Sequence, residues 1–547
     1  MLLPAIARRL KRPQPTSFLP LLFNSTAAPT SSLSPLRTRP FLSFASASFH
    51  QTVVLQYQVT LRFNFSTQTI TDPFELIGDK NHAVSSPEPA VLDSFKRAAD
   101  LPTGEEGIAF LDESGIGADH NLVHSLIWEL KEEWRLAFLA FKWGEKWRCV
   151  ELKTYELMIW VLGNNRKFGI GWTLIRDLHR SSMNIRQAML IMIDRYAAAN
   201  DAGKAIQSFN IMEMFRLGPD EEAFRFLLRA LCKHGFIEEA EEFMFLNKKL
   251  FPLDADGFNI ILNAWCNLYV DVLEAKRIWR EMSKCCILPN GTSYAHMISC
   301  FSKVGNLFDS VRLYEEMKKR GWVPGLEVYN SLVYVLTRQN CFKEALKILD
   351  KVKETGLLPN STTYNSIIRP LCELKKLEEA RNILARMVAE NLSPTMETYH
   401  AFLEGADTKL TMEVLNQMKI AGLGPTDDSF ILVLTKFFKL ELAENALKIW
   451  MEMKQYGVAP DLKHYIVLVE GLAKCGLLSK AREYYSEMIS NGFSDDPKLQ
   501  KMLKKPVQGK QAQQKQWGKQ AKRCQSPIHK KGGKHRSSTL DRTNRKV

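Results

Sequence analysis

The chain of 547 residues contains no run of about 20 apolar residues, the length a membrane-crossing helix requires; near its start the stretch Phe18–Phe23 is short and broken by Pro20. It has ten cysteines but no CxxC pair, so the closely spaced ligands of a structural zinc site are missing. Scattered thiols in a long chain fit a reducing compartment rather than a disulfide framework. HExxH, G-x4-GK-[ST], and H-x-E followed by P-C-x-x-C are also missing, which removes zincin, P-loop and nucleobase-deaminase chemistry. No catalytic set, metal site or cofactor site emerges, and the chain reads as a non-enzyme.

Acids are absent from residues 1–71, which hold seven Lys or Arg. Residues 497–547 hold sixteen basic residues against one acid, Asp541; with the whole chain at +14, the body between carries −8. Basicity sits in the two ends, so net charge is no argument for nucleic acid on the body. In the opening MLLPAIARRLKRP, one face of a short helix gathers Leu2, Leu3, Ile6 and Leu10, with Arg8, Arg9, Lys11 and Arg12 around it. That pattern, followed by Ser, Thr, Pro and Arg, reads as an organelle transit peptide and disordered segment over 1–71. The early arginines favour mitochondrion over plastid. Residues 72–117 read as a linker. Residues 497–547, rich in Lys, Gln and Gly, read as a basic disordered tail that suits salt-sensitive contacts with RNA or with an acidic protein.

Such a length points to several domains or a repeat array. Phe224, Phe258, Tyr294, Tyr329, Tyr364, Tyr399, Phe430 and Tyr465 are spaced 34, 36, 35, 35, 35, 31 and 35 residues apart. Met282, Met317, Val352, Met387, Met418, Met453 and Met488 form a second column, and Pro289, Pro324, Pro359, Pro394, Pro425 and Pro460 a third; both share the 31-residue step. One unit has therefore lost four residues between Tyr399 and Pro425. Within Leu326–Asn360, Tyr329, Leu332, Val333 and Leu336 make one helical stripe, and Ala345, Leu346, Ile348, Leu349 and Val352 another. Small Ala240, Ala275, Ala345, Ala380, Ala446 and Ala481 mark where two helices cross. Gly356 caps the second helix and Pro359 blocks its continuation. The fold class is all-α: a superhelical solenoid of tandem helix-turn-helix hairpins of about 35 residues, each burying its stripes against neighbours. Units lie near 152–185, 186–220, 221–254, 255–290, 291–325, 326–360, 361–395, 396–426, 427–461 and 462–496, after a degenerate first hairpin at 118–151 built on Trp128, Leu130, Phe138 and Phe141.

The 35-residue period, with Tyr near the start, Ala at place 20, Met at 27, Gly at 31 and Pro at 34, resembles the pentatricopeptide repeat family, plain P-type subclass, of plant-like organelle proteins. VYNSLVYVLTRQNCFKEALKILDKVKETGLLPN and TYNSIIRPLCELKKLEEARNILARMVAENLSP carry the likeness. The competing tetratricopeptide repeat wants a Trp, a Leu-Gly pair and small residues where this chain has Met. The resemblance implies a right-handed superhelix and recognition of single-stranded organelle RNA, one base per hairpin. It places base readers at the fifth and last residues of each unit: Arg225 with Asp254, Asn259 with Asn290, Ala295 with Gly325, Asn330 with Asn360, Asn365 with Thr395, and His400 with Thr426. Ile431 with Asp461 and Ile466 with Asp496 follow, and neither isoleucine can hydrogen-bond a base. By the same likeness the Asn pairs favour pyrimidines, giving pyrimidine, unknown, pyrimidine, pyrimidine from residue 259 to 395. The alternative for the Asn residues is a solvated polar face.

Lys233, Lys303, Arg338, Lys439 and Lys474 share place 13, at the end of the first helix. They read as an RNA-backbone stripe, or as cations offsetting the helix macrodipole. Against RNA stand the acids at place 2, Glu222, Asp256, Glu327, Glu397 and Asp428. The expected function is transcript splicing, stabilisation, processing or translation in the organelle, by a monomer that binds RNA, with other RNA-processing proteins as further partners and no membrane. The alternative is a protein-binding scaffold, for instance on the mitochondrial ribosome. An RNA-cleaving enzyme of the RNase P branch would need an Asp-rich nuclease domain, which is not seen here.

Overall fold

The computed structural model describes residues 87–218 and 220–504. The transit segment 1–71, most of the tail and Pro219 lie outside these residues. Among the described residues there are 25 α-helices and no strand. Ahead of the repeats come α1 (Pro89–Ala99), α2 (Gly104–Glu113), α3 (His120–Glu129) and α4 (Trp134–Lys146). Hairpins follow: α5 (Leu152–Asn164) with α6 (Phe168–Arg180), α7 (Arg186–Ala198) with α8 (Ala202–Asn210), α9 (Glu221–Lys233) with α10 (Ile237–Leu246), α11 (Ala255–Asn263) with α12 (Val272–Lys284), and α13 (Gly291–Lys303) with α14 (Leu307–Lys319). Next are α15 (Leu326–Arg338) with α16 (Phe342–Glu354), α17 (Ser361–Glu373) with α18 (Leu377–Ala389), α19 (Met396–Gly405) with α20 (Thr408–Ile420), α21 (Asp427–Lys439) with α22 (Ala443–Met453), α23 (Leu462–Lys474) with α24 (Leu478–Ser490), and a closing α25 (Pro497–Lys504). These divide into two compact units, up to Ser393 and from Pro394.

Each hairpin follows from its sequence. All eight residues of the aromatic column and all seven of the Met/Val column are buried, as are Cys232, Cys266 and Cys372. A large apolar side chain so placed contributes about 1.5–3 kcal/mol. The six alanines of the crossing column are fully buried. A left-handed residue ends most first helices: Asn200, Gly235, Val270, Gly305, Asn340, Lys375, Glu441 and Gly476. In one of them Asn340 has φ 60°, and Cys341 N donates across the turn to Leu336 O at 2.8 Å, satisfying a terminal carbonyl. Second helices end likewise at Gly321, Gly356, Gly422, Gly457 and Gly492. The last residue of a unit is the N-cap of the next first helix: the side chains of Asp220, Asp254, Asn290, Asn360, Thr395 and Asp461 accept a backbone N–H from its first turn.

Two of the three irregular spacings have physical solutions. α19 has ten residues where its neighbours have 13, and two residues rather than three join it to α20. The four lost residues are about one helical turn, which leaves the buried face in register. The 36-residue step from Phe258 to Tyr294 is absorbed by a π-helical turn, Ala264–Leu268, continuing α11.

Residues read as linker are helical from 89 onward. α1 and α2 bury Phe95 and Leu111, and Phe95 meets Trp143 of α4 edge-on at 5.4 Å. Gly107 lies so close to α1 that a Cβ would come within 2.7 Å of Ala98 O. Two short helices of 11 and 10 residues are marginal alone; the tertiary contact with α4 makes them. The expected tail likewise begins as α25, with Leu499 and Leu503 buried and Arg482 Nη2 donating to Leu503 O at 3.0 Å. Terminal elements of this kind cover the open ends of repeat arrays. Replacing Ala345 by Leu is expected to overpack the α15–α16 crossing, costing about 1–3 kcal/mol. Thermal denaturation should show a lower midpoint; an unchanged one would deny the close crossing.

Candidate nucleic-acid interface

The fifth residue of a first helix and the N-cap of the next come together because first helices stack on one another. Asn259 Nδ2 donates to Asn290 Oδ1 at 3.1 Å, and Ser293 Oγ donates to Asn259 Oδ1 at 2.6 Å. Arg225 pairs with Asp254 and with Glu221, each at 2.6 Å, and lies 3.8 Å from Asp256. In the second unit His400 Nε2 lies 2.9 Å from Ser429 Oγ, which is 3.2 Å from Thr426 Oγ1. Ala295 and Gly325 bring no side-chain donor or acceptor. Asn360 caps α17 through Thr363 N at 3.0 Å. Asn365 belongs to the first unit and Thr395, which caps α19, to the second.

Asn259, Asn330 and Asn365 are 6%, 4% and 3% exposed. A solvated polar face does not describe them. Asn330 Oδ1 is buried with no hydrogen-bond partner in the protein, a state that costs about 1–3 kcal/mol when left unmade.

The basic column needs correcting. Lys303 is buried, and its Nζ donates to Asn267 Oδ1 at 2.8 Å and to Asn267 O at 3.3 Å. Arg338 Nη1 donates in turn to Lys303 O. These two cations therefore occupy the carbonyl-rich C-terminus of the preceding first helix, where positive charge is favoured, and do not form a solvent-facing phosphate stripe. Lys233, Lys439 and Lys474 remain exposed, Lys474 within 3.0 Å of Glu470. The acids of place 2 also find an explanation, since they fall in the first turn of their helices. Glu222 there pairs with Arg186 at 3.0 Å.

The π-helical turn creates a polar cluster that the residue pattern did not announce. Asn267 also accepts from Ser299 Oγ at 2.8 Å and lies 3.2 Å from His296 Nδ1. Burial, with help from Lys303, pulls the His296 imidazole down to about 4. Burial likewise pulls the Lys303 ammonium down to about 8, partly opposed by the Cys266 and Cys300 thiols. The 36-residue step was the available signal.

The family model for the pentacotripeptide-repeat region of PRORP matches residues 288–439, and the PPR repeat model matches 222–245 and 464–493. A mitochondrial pentatricopeptide repeat-containing protein of Arabidopsis thaliana is 63% identical over 439 residues, covering 80% of this chain and 81% of the relative. The chain belongs to the pentatricopeptide repeat family. A second mitochondrial pentatricopeptide repeat protein from that plant is 35% identical over 412 residues, covering 73% and 71%. With these relatives the protein is placed in the mitochondrion. The pentatricopeptide repeat protein PPR10 from maize, solved in complex with an 18-nt psaJ RNA element, is 18% identical, covers 83% of this chain and 65% of that one, and has a TM-score of 0.31.

Lys303 supplies a pH test in this pentatricopeptide repeat protein. Its folded value lies below the ordinary lysine value of 10.5, so between about 8 and 10.5 the unfolded chain holds the proton more tightly and stability rises with pH. Lys303→Met removes the effect. Thermal midpoints should shift in favour of the parent relative to the variant as pH is raised through that window. A constant difference would contradict a buried ammonium.

Proposed function

We propose that the protein binds single-stranded RNA sequence-specifically through residues 221–461 and acts in mitochondrial transcript splicing, stabilisation, processing or translation, by binding rather than by catalysis. The observation that carries this reading is the buried fifth-place amide of α11, α15 and α17, above all Asn330 with its unpartnered Oδ1. A carboxamide both donates and accepts, and N3–H of uracil or the exocyclic amine of cytosine would complete the Asn330 acceptor. Asn259 with Asn290 adds an amide pair already held in register. The sequence read is pyrimidine, unknown, pyrimidine, pyrimidine over the hairpins of Asn259, Ala295, Asn330 and Asn365, the second place left open because Ala295 and Gly325 have nothing to offer a base. Arg225 is held among carboxylates, and the half-buried Ile431 and Ile466 carry no base-edge group.

Backbone contacts fall to the exposed Lys233 and Lys439, with Lys474 partly engaged by Glu470. The double variant Asn330→Ala, Asn365→Ala should weaken binding to the cognate RNA by on the order of 1–3 kcal/mol per lost base contact. Far-UV circular dichroism should be unchanged. Equal affinity of variant and parent would show that these places do not read bases.

A further inference from the structure

The hairpins that begin with α5 and α7 hold no usable base reader. Their fifth residues are Glu156 and the buried Leu190, and the N-cap Asp220 is tied to Arg186 at 2.9 Å. One turn further along the same helical face lies the ninth residue. Through the first unit that place holds Trp128, Trp160, Asp194, Arg229, Asn263, Ser299, Tyr334 and Arg369. The amino-terminal two form an aromatic pair: Trp128 of α3 and Trp160 of α5 are half-buried and stacked, with ring centroids 5.9 Å apart and planes at 18°. Cations lie against them, Lys131 Nζ at 4.1 Å from the Trp128 ring and the Arg195 guanidinium at 5.8 Å from that of Trp160. Elsewhere on these hairpins Lys167 Nζ sits 5.0 Å from the Trp134 ring of α4.

We propose that Trp128 and Trp160, with Lys131, form a stacking platform that holds the flank of a single-stranded RNA without regard to its sequence. The proposal rests on the RNA reading above and adds a second kind of contact to it. Successive bases present π-faces whatever their identity, and a half-buried indole with a cation alongside serves both base and phosphate. The platform continues the face on which Asn259 and Asn330 lie, so one strand can follow both.

Two acids on this surface are engaged or half-buried, while Glu129, Glu132 and Glu133, next to Trp128 and Lys131 in the chain, are exposed. Asp194 is tied to Arg195 and to His234 Nε2, the latter at 3.0 Å. Arg195 Nη1 is anchored by Asn164 Oδ1 at 2.5 Å. Glu156 is half-buried, and that burial raises its carboxyl pKa, opposed by Lys153. Lys131 is half-exposed and exchanges its place over Trp128 for a phosphate when a base arrives.

The test compares oligouridine RNAs of about 4 and about 16 nucleotides, the range of one single-strand site, on the full chain. The parent should bind the longer probe more tightly than the shorter by a margin beyond statistical site counting. Trp128→Ala with Trp160→Ala should lower affinity for the longer probe roughly tenfold or more, with the shorter probe unaffected. The same loss should appear with oligocytidine. Trp128→Phe with Trp160→Phe keeps the rings and should restore most of it. Lys131→Glu, at a half-exposed place, should weaken the longer probe and flatten its salt dependence even if the alanine variant fails to fold. Full affinity for the longer probe in Lys131→Glu, or in a folded alanine variant, overturns the platform while leaving the amide readers standing. A parent that binds neither probe and no transcript overturns both readings.

Discussion

A 35-residue hairpin of this chain has apolar surface on two sides and can bury only one against itself. The other must be covered by a neighbour, and within each compact unit it is. The rest of the structure follows from that constraint. Alanines at the crossing let paired helices approach, the aromatic and methionine columns fill the layers between hairpins, and α1, α2 and α25 cover surface that would otherwise be open. Four residues can leave α19 and its connection because a whole turn preserves the buried face. One can enter after α11 because a π-helical turn takes it up.

Stacking also determines what the first helices can offer a ligand. It brings the fifth residue of one helix against the N-cap of the next, so a residue required to start a helix also sits beside a candidate reader. Asn290 does both, capping α13 and holding Asn259. Helix C-termini impose a comparable demand. Lys303 and Arg338 satisfy carbonyls of the preceding first helix, so the position that looks most suited to phosphate is in part committed to joining the hairpins.

Periodicity made the register of the array legible, because three columns repeat the same irregular step. The two helices before residue 117 were not legible: α1 and α2 are short, and their burial depends on Trp143 more than thirty residues away. Left-handed turn residues such as Lys375, Glu441 and Val270 were missed because glycine is the residue type that announces such a turn. The reader places were found through family likeness, while their burial and the unpartnered oxygen of Asn330 needed coordinates. The basic column misled for a physical reason: phosphates and helix-terminal carbonyls attract the same side chains. Only the neighbours of each cation separate the two cases.

The central claim is that this mitochondrial array selects a particular RNA. It is tested most directly by crosslinking the full-length protein to RNA in mitochondria, then recovering and sequencing the protected fragments. The account predicts a discrete footprint in one or a few transcripts, containing pyrimidine, any base, pyrimidine, pyrimidine. Coverage spread evenly over mitochondrial RNA, or recovery of ribosomal proteins without a transcript footprint, would contradict it.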